Sequence, residues 1–277
     1  MTYLEAIILG LVQGLTEFLP VSSSGHLTIL QHFFDINGEK VVLFTILLHV
    51  GTLISVTFMY FKDLKELVIE LFITIKDIFT GKGLKLNERP IRKLGVMIIV
   101  TTLVTGIIGI AFEDLFVSFY KSLVPVSIGL ILTGILLWVS ESIKPGKRDI
   151  NNLNFRNAIY IGVMQGIAIC PGISRSGATL VGGLTTKLDR AFAVKYAFLI
   201  SFPAILGSAV MEMDELFNSS IEPSSFGPIL IGMLIAAISG IFAIKAMIAV
   251  VSKYSLKYFS VYVWIIGLSL LVYNFVK

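Results

Sequence analysis

Residues 13–26 read QGLTEFLPVSSSGH and place a cluster of polar groups inside a mostly apolar part of the chain. Mostly apolar residues precede the cluster at 6–12 and follow it at 27–30. Such groups are costly in an apolar medium unless they have partners, so they indicate a site rather than a plain membrane span. The polar residues are an amide, a carboxylate, three successive hydroxyls and an imidazole: Gln13, Glu17, Ser22, Ser23, Ser24 and His26.

The composition is that of a membrane protein. Hydrophobic residues make up 56% and charged residues 14% of the chain, against roughly 45–50% and 25% in soluble domains. The fold class predicted is an all-α polytopic membrane protein. The N-terminus lacks the basic start and the small-residue cleavage site of a signal peptide. The net charge of +4 lies in loops, where it sets topology, and predicts no nucleic-acid partner.

Six segments are long and apolar enough to be full transmembrane helices. Residues 3–33 and 157–187 are also apolar, but glycine, proline and serine interrupt both. We predict that each of these two forms a re-entrant helical hairpin rather than a span. The predicted spans lie at about 41–61, 94–112, 123–141, 192–211, 228–250 and 258–276.

The longest polar stretch is residues 62–93, which carries eight Lys or Arg and five acids. Lys and Arg accumulate in cytoplasmic loops, so we place this stretch and loop 142–156 in the cytoplasm. Residues 64–79 keep apolar side chains at helical spacing. This spacing is compatible with a helix in the membrane interface, but the favoured interpretation is a plain amphipathic connector.

A second motif repeats the first one. Residues 165–179 read QGIAICPGISRSGAT, and an offset of 152 aligns residues 9–30 with 161–182 at six identical positions in 22. Three spans follow each copy, so we predict two repeats of opposite orientation, 1–141 and 157–277, in one integral membrane domain, 1–277. The hairpins of such repeats meet near the midplane. The alternative is that both are kinked structural helices with no site between them.

Two side chains of the first motif offer oxygen ligands. Gln13 and Glu17 are four residues apart and share one face of a helix. Their oxygens suit Mg²⁺ or Ca²⁺, which water and substrate phosphate usually help to coordinate. The structural alternative for Glu17 is an ion pair with Arg175 or His26.

The serine turns indicate an anion site. Helix starts expose free N–H groups and carry a positive dipole, so two converging starts favour phosphate. Ser174 is a candidate N-cap, with Ser176 and Thr179 further along the helix. Arg175 adds planar, bidentate contacts to phosphate. The alternative for the serines is capping alone.

His26 follows the serine turn and has the chemistry of a general acid, a general base or a nucleophile. His32 and His49 have no polar company in the sequence and are interpreted as structural or interfacial. From the residues alone, the site fits phosphoryl chemistry on a lipid-borne substrate. It fits an anion-coupled transporter or flippase equally well.

The two motifs resemble the signatures of the undecaprenyl-diphosphate phosphatase family, the bacitracin-resistance protein type. The resemblance extends over the whole chain in length, number of spans and motif position. It implies a multi-pass enzyme of the bacterial cell membrane that hydrolyses a polyprenyl diphosphate lipid, depends on a divalent cation and confers bacitracin resistance. The first motif of the family is Glu or Gln followed, after three further residues, by Glu. In this chain these two positions are Gln13 and Glu17. A homodimer is left open.

These arguments assign roles to ten residues. Glu17 is the principal metal ligand, with Gln13 beside it. Ser23 is the favoured nucleophile, and attack by His26 or by activated water remains open. The catalytic residues predicted are Glu17, Ser23, His26 and Arg175. The substrate-binding residues predicted are Gln13, Ser22, Ser24, Ser174, Ser176 and Thr179.

Overall fold

The structure is a computed structural model that describes residues 2–36, 39–144, 146–211 and 226–276, with side chains from Phe44 onward in the second range. Every regular element in these ranges is an α-helix. The helices are α1 Tyr3–Phe18, α2 Ser23–Phe33, α3 Glu39–Met59, α4 Phe61–Phe79, α5 Pro90–Ala111, α6 Glu113–Phe119, α7 Leu123–Ser140, α8 Phe155–Ile167, α9 Arg175–Thr185, α10 Arg190–Met211, α11 Phe226–Lys253 and α12 Lys257–Val276.

Five of these helices are long and apolar enough to cross a membrane: α5, α7, α10, α11 and α12. A sixth results if Phe44–Met59 and Phe61–Phe79, which meet at a bend of 87°, count as one broken span. The prediction of a helical, multi-pass membrane protein is therefore confirmed, with five or six candidate spans against the six predicted. The segment between the predicted spans 94–112 and 123–141 contains the short helix α6.

The break between α1 and α2 follows from local chemistry. Leu19 has an extended backbone, with φ −75° and ψ 147°, as expected for a residue that precedes proline. Pro20 has no N–H to continue the helix. Ser22 has a positive φ of 70° and caps α2. The predicted interruption of residues 3–33 is therefore confirmed, and it lies between α1 and α2.

The break between α8 and α9 depends on a close backbone approach. Gly172 has φ +86°, and a Cβ there would lie 2.2 Å from the Val126 carbonyl oxygen. Only glycine fits both restrictions. Thr133 of α7 then holds the turn, because its hydroxyl donates to the Gly172 carbonyl at 3.0 Å and accepts from the Ser174 N–H at 2.9 Å.

The two broken helices pack on opposite halves of the chain. α1 lies against α11, and α8 lies against α5. Glycines allow both contacts: a Cβ at Gly10 would lie 2.4 Å from the Gly232 oxygen, and one at Gly162 would lie 2.8 Å from the Thr101 oxygen. α7 packs on α12, and α3 packs on α10 and α11. The two motifs are thereby held at the centre of the bundle.

The main core lies between α3, α5, α8, α9, α10 and α11. It includes Val56, Met97, Ile161, Ile200 and Ile244, all of them buried. Large apolar side chains also cover the outside of the helices, with Leu103, Leu234 and Ile265 more than half exposed. An apolar exterior around an apolar core is expected of helices that face lipid.

Candidate active site

Glu17 and Gln13 lie one helical turn apart near the end of α1. The amide nitrogen of Gln13 donates to Glu17 Oε2 at 2.9 Å. Gln13 is 0% and Glu17 5% exposed. The sequence-based prediction that both share one helix face is confirmed. A buried carboxylate requires compensating donors, and one amide does not neutralise its charge.

The neutralising charge comes from Arg175, at the start of α9. Arg175 Nη2 donates to Glu17 Oε1 in a direct ion pair. Its Nη1 donates to the carbonyl of Ser201 at 3.3 Å. The sequence left open whether Glu17 pairs with Arg175 or with His26, and in the structure the partner is Arg175. This guanidinium holds the two motifs together.

Ser23 is the third donor to the same carboxylate. Its hydroxyl donates to Glu17 Oε2 at 2.6 Å. At the offset of 152, Ser23 aligns with Arg175. Equivalent positions of the two motifs therefore reach the two oxygens of one carboxylate. A hydroxyl hydrogen-bonded to a carboxylate is the arrangement of a nucleophile beside its general base.

The serine turns have matching geometry in the two motifs. Ser22 Oγ accepts from the Gly25 N–H at 3.2 Å, and Ser174 Oγ accepts from the Gly177 N–H at 3.1 Å. In each turn the capping hydroxyl lies 3.2 Å from the hydroxyl of the serine two residues later, which is Ser24 in the first motif and Ser176 in the second. The predicted N-cap at Ser174 is confirmed. Each turn therefore begins a helix with free N–H groups nearby.

The turns also contact each other. The Ser176 hydroxyl donates to the Leu19 carbonyl at 3.0 Å. A Cβ at Gly25 would lie 3.3 Å from Gly172 Cα. The starts of α2 and α9 are thus adjacent, as the anion-site prediction requires. Thr179 lies one turn further along, where its hydroxyl donates to the Arg175 carbonyl of its own helix at 2.8 Å.

His26 belongs to a separate pair. Its Nδ1 lies 2.8 Å from the Ser22 carbonyl oxygen, and its Nε2 lies 2.8 Å from the Tyr262 hydroxyl of α12. A carbonyl only accepts, so we assign the proton to Nδ1, which leaves Nε2 to accept from Tyr262. The two rings also stack, with centroids 5.6 Å apart. Sequence spacing contained no signal for Tyr262.

His49 requires a correction. Its sequence context predicts a structural or interfacial role, whereas its Nε2 lies 3.7 Å from Glu17 Oε2. Its Nδ1 is 2.8 Å from the Thr45 carbonyl, one turn earlier on α3. The histidine was missed because its polar neighbour comes from another helix. A histidine facing inward from an apolar span was the only available signal.

Comparison with known proteins identifies the family. Residues 6–269 match the family model described as bacitracin resistance protein BacA. The chain belongs to the BacA family.

Full-length relatives agree with this assignment. The chain is 46% identical over 274 residues to a protein of Alkaliphilus metalliredigens named undecaprenyl-diphosphatase, covering 99% of both chains. Proteins of the same name from Carboxydothermus hydrogenoformans and Halothermothrix orenii are 40% and 37% identical. The alignments cover 98% of this chain and 97% and 98% of those two relatives.

The oxygens available for a metal in this BacA-family site are few. Within the described ranges, no three His, Cys, Asp or Glu residues form a group suited to a metal ion. Gln13 Oε1, however, is a buried acceptor without a hydrogen-bond partner, and it belongs to the amide that contacts Glu17. One amide oxygen and one carboxylate fit a cation such as Mg²⁺ that keeps water and phosphate as its other ligands.

Proposed function

We propose that the chain hydrolyses undecaprenyl diphosphate to undecaprenyl phosphate and inorganic phosphate. The observation that carries this proposal is the convergence of Ser23 and Arg175 on the buried carboxylate of Glu17. This arrangement combines a hydroxyl nucleophile in Ser23, a base in Glu17 and a guanidinium that binds phosphate in Arg175. The name undecaprenyl-diphosphatase of the full-length relatives supports the same reaction. The product is a lipid carrier for wall polymers, so the activity serves peptidoglycan synthesis and bacitracin resistance.

The terminal phosphate is held by Arg175 and by the adjacent starts of α2 and α9. The guanidinium binds phosphate oxygens through its planar fork. Serine hydroxyls Ser22, Ser24, Ser174 and Ser176 surround these starts, and the free N–H groups favour an anion. Negative charge spreads over the equatorial oxygens during transfer, and fixed donors stabilise it there. Thr179 stabilises α9 next to this phosphate site, because its hydroxyl donates to the Arg175 carbonyl.

Transfer then takes two steps. Ser23 Oγ attacks the terminal phosphorus, its proton passes to Glu17, and the bond to the bridging oxygen breaks, so that undecaprenyl phosphate leaves. Water next attacks the phosphoserine, the bond between phosphorus and Ser23 Oγ breaks, phosphate departs with both protons of the water, and Ser23 recovers its proton from Glu17. The short hydrogen bond of 2.6 Å between Ser23 and Glu17 supports this order. His26 remains the alternative nucleophile or water activator, through Nε2 once the Tyr262 hydroxyl has released it.

Glu17 and Gln13 are proposed to hold Mg²⁺ or Ca²⁺, and the bound cation would neutralise charge on the diphosphate oxygens. The partnerless Gln13 Oε1 supports this role. Arg175 must loosen its ion pair with Glu17 when phosphate and cation arrive, since the phosphate competes for the guanidinium and the cation competes for the carboxylate oxygens. We therefore interpret the ion pair as the resting arrangement of the site.

We propose two inverted repeats, 1–141 and 157–277, in one domain, with α1–α2 and α8–α9 as re-entrant hairpins. Three observations support this arrangement: the matching serine-turn distances, the glycines Gly10 and Gly162 at equivalent contacts, and the reciprocal packing. α1 packs on the second span of the later half, and α8 packs on the second span of the earlier half. With the basic loops in the cytoplasm, the Glu17 hairpin enters from the outer face of the cell membrane. A homodimer stays a prediction.

The transporter alternative rested on the anion-binding chemistry of the two motifs and on the inverted repeat. The names of the relatives favour hydrolysis, and the Ser23–Glu17 contact has a direct use in hydrolysis and none in transport. No specific observation favours transport.

The test is phosphate release by the purified protein in detergent with undecaprenyl diphosphate and Mg²⁺. We expect turnover that stops on chelation and in Glu17→Gln, whereas Ser118→Ala, which changes an exposed serine of α6, keeps full activity. Acid quenching of turnover with substrate labelled in the terminal phosphate should leave label on the protein, and Ser23→Ala should remove it. Absence of phosphate release under all these conditions would refute the proposal.

A further inference from the structure

The orientation of α4 is the reverse of that of a soluble amphipathic helix. Three polar residues spaced at i, i+4 and i+7, Glu70, Thr74 and Asp77, face the protein; Thr74 is buried, and both acidic side chains are only 13% exposed. Apolar residues face outward instead. Those more than half exposed include Phe61, Val68, Phe72, Ile78 and Phe79. The side of α4 that faces away from the protein is therefore suited to the acyl region of a membrane.

Two arginines set the rotation of α4. Arg92, whose side chain is 0% exposed, donates to Glu70 and Asp77, each at 2.7 Å. Arg89 donates to Glu70 at 2.8 Å. These contacts neutralise the two inward carboxylates and keep them directed towards α5. With that face fixed, the outward face of α4 is fixed as well.

Most of the other basic residues of the stretch 62–93 make no ion pair with a described residue. Asp63 pairs with Lys195 at 2.6 Å and Glu88 with Lys85 at 3.7 Å, so Glu66 is the one acid of the stretch without an ion pair among the described residues. Four exposed lysines of the stretch make no ion pair with any described residue: Lys62, Lys65, Lys76 and Lys82. This surface therefore carries an excess of positive charge.

Three of these lysines form a row along α4. Lys65 follows Lys62 by one turn, and Lys76 follows Lys65 by three turns, which places them on one side of the helix. The row lies next to the outward apolar face that contains Phe72. Lys82 continues the charge into the loop before α5. A row of lysines beside an apolar face is the arrangement of helices that lie in a membrane interface.

The direction of α4 agrees with such a position. The axes of Phe44–Met59 and Phe61–Phe79 differ by 87°. If α3 runs across the bilayer, α4 runs nearly parallel to its surface. With 19 residues, α4 is about 28 Å long, which is enough to contact several lipid headgroups.

We propose that α4 and the loop after it bind anionic phospholipids. The outward apolar face enters the acyl boundary, and Lys62, Lys65, Lys76 and Lys82 contact the lipid phosphates. The partner is an acidic membrane lipid, recognised by phosphate charge next to acyl chains. The inference is independent of the proposed hydrolase activity, because none of these residues contributes to the site at Glu17. It replaces the sequence-based interpretation of 64–79 as a plain connector.

The test compares lipid binding by the full-length protein and by two variants with equal loss of charge. One variant carries Lys62→Gln, Lys65→Gln, Lys76→Gln and Lys82→Gln. The control carries Lys121→Gln, Lys144→Gln, Lys147→Gln and Lys253→Gln, all exposed positions outside this surface. Thermal stability of each detergent-purified protein is titrated with phosphatidylglycerol, with phosphatidylcholine and with inorganic phosphate.

We expect phosphatidylglycerol alone to stabilise the unmodified protein and the control. Surface lysines contribute additively to such binding, so the α4 variant should need at least about tenfold more phosphatidylglycerol for the same shift. Phosphate release in neutral detergent should be unchanged in the α4 variant, which shows that it is folded. Equal responses of the two variants, or a matching effect of phosphatidylcholine or inorganic phosphate, would overturn the proposal.

Discussion

Glu17 and Arg175, separated by 158 residues, form a direct ion pair at the junction of the two motifs. The carboxylate is almost fully buried, and the guanidinium side chain is 21% exposed. The pair therefore satisfies a charge inside an apolar bundle, and it brings the proposed base and the proposed phosphate-binding group to one point. Mutation can separate these two tasks.

Removal of one partner should destabilise the protein more than removal of both. Arg175→Met leaves Glu17 charged and buried, at a cost of about 3–5 kcal/mol. The double variant Glu17→Leu with Arg175→Met leaves no unpaired charge and should recover most of that loss. Thermal unfolding in detergent checks this, with phosphate release absent in every variant. Additive losses in the double variant would contradict the interpretation of the contact as an ion pair.

Ser22 and Ser23 are adjacent, but alanine substitutions at the two positions should have different effects. Ser22→Ala removes the α2 cap and should cost about 1 kcal/mol of stability, with kcat largely retained and KM raised, because Ser22 also lies at the proposed phosphate site. Ser23→Ala leaves the cap in place and should lower kcat by at least about 10³-fold, because the nucleophile is lost. Ser174→Ala is the matched cap variant in α9. Full turnover in Ser23→Ala would move the nucleophile to His26 or to water.

Tyr262 positions His26 through one hydrogen bond. Tyr262→Phe keeps the stacked ring and removes the hydroxyl that His26 Nε2 accepts from. A lost hydrogen bond of this kind costs about 1 kcal/mol, or roughly fivefold in kcat, with KM unchanged. His26→Ala with Tyr262→Phe should be no slower than His26→Ala alone. An additive loss in the double variant would show that Tyr262 acts independently of His26.

His49 should position Glu17 rather than react with substrate. His49→Leu should lower kcat with little change in KM, and His49→Gln, which keeps a donor near Glu17 Oε2, should restore part of the loss. His32 of α2 is the matched control, since its ring lies against Phe33 of the same helix and Tyr273 of α12. His32→Leu should leave turnover unchanged. Equal losses in His49→Leu and His49→Gln would argue for a merely structural role.

The metal requirement should follow the residue at position 13. Gln13→Glu adds a second carboxylate beside Glu17 and should lower the Mg²⁺ concentration that gives half-maximal turnover. Gln13→Leu should raise it. Gln165 aligns with Gln13, is equally buried and also has a partnerless oxygen, so Gln165→Leu is a matched control that should leave the Mg²⁺ dependence unchanged. The same shift in both leucine variants would remove Gln13 from the metal site.

Local chemistry made much of the site predictable. Pro20 and Ser22 predicted the break between α1 and α2 because proline cannot continue a helix and serine caps one. The spacing of Gln13 and Glu17 predicted a shared face. The repeat indicated that Arg175 belongs with the first motif, since apolar surroundings require a counter-charge. Each of these inferences depends on neighbours in sequence or on the repeat itself.

Three residues near the site were missed for one physical reason. His49, Tyr262 and Thr133 come from α3, α12 and α7, and each reaches the motifs only because its helix is rotated in a particular way. That rotation results from helix packing, including the close glycine contacts, and leaves little trace in the hydrophobic pattern of a span that is apolar on all sides. The sequence likewise did not show which side of α4 faces outward, because Arg92, on another helix, fixes the rotation of α4.

The class of protein, its broken helices and the two motifs follow from the sequence, because length, hydropathy and turn chemistry act locally. Which groups share a carboxylate depends on tertiary packing: Ser23 and Arg175 contact Glu17, whereas His26 contacts Tyr262. A buried charge takes whichever donors the packing of distant helices brings to it. The polar cluster at 13–26 is thus one half of a site that the second motif completes.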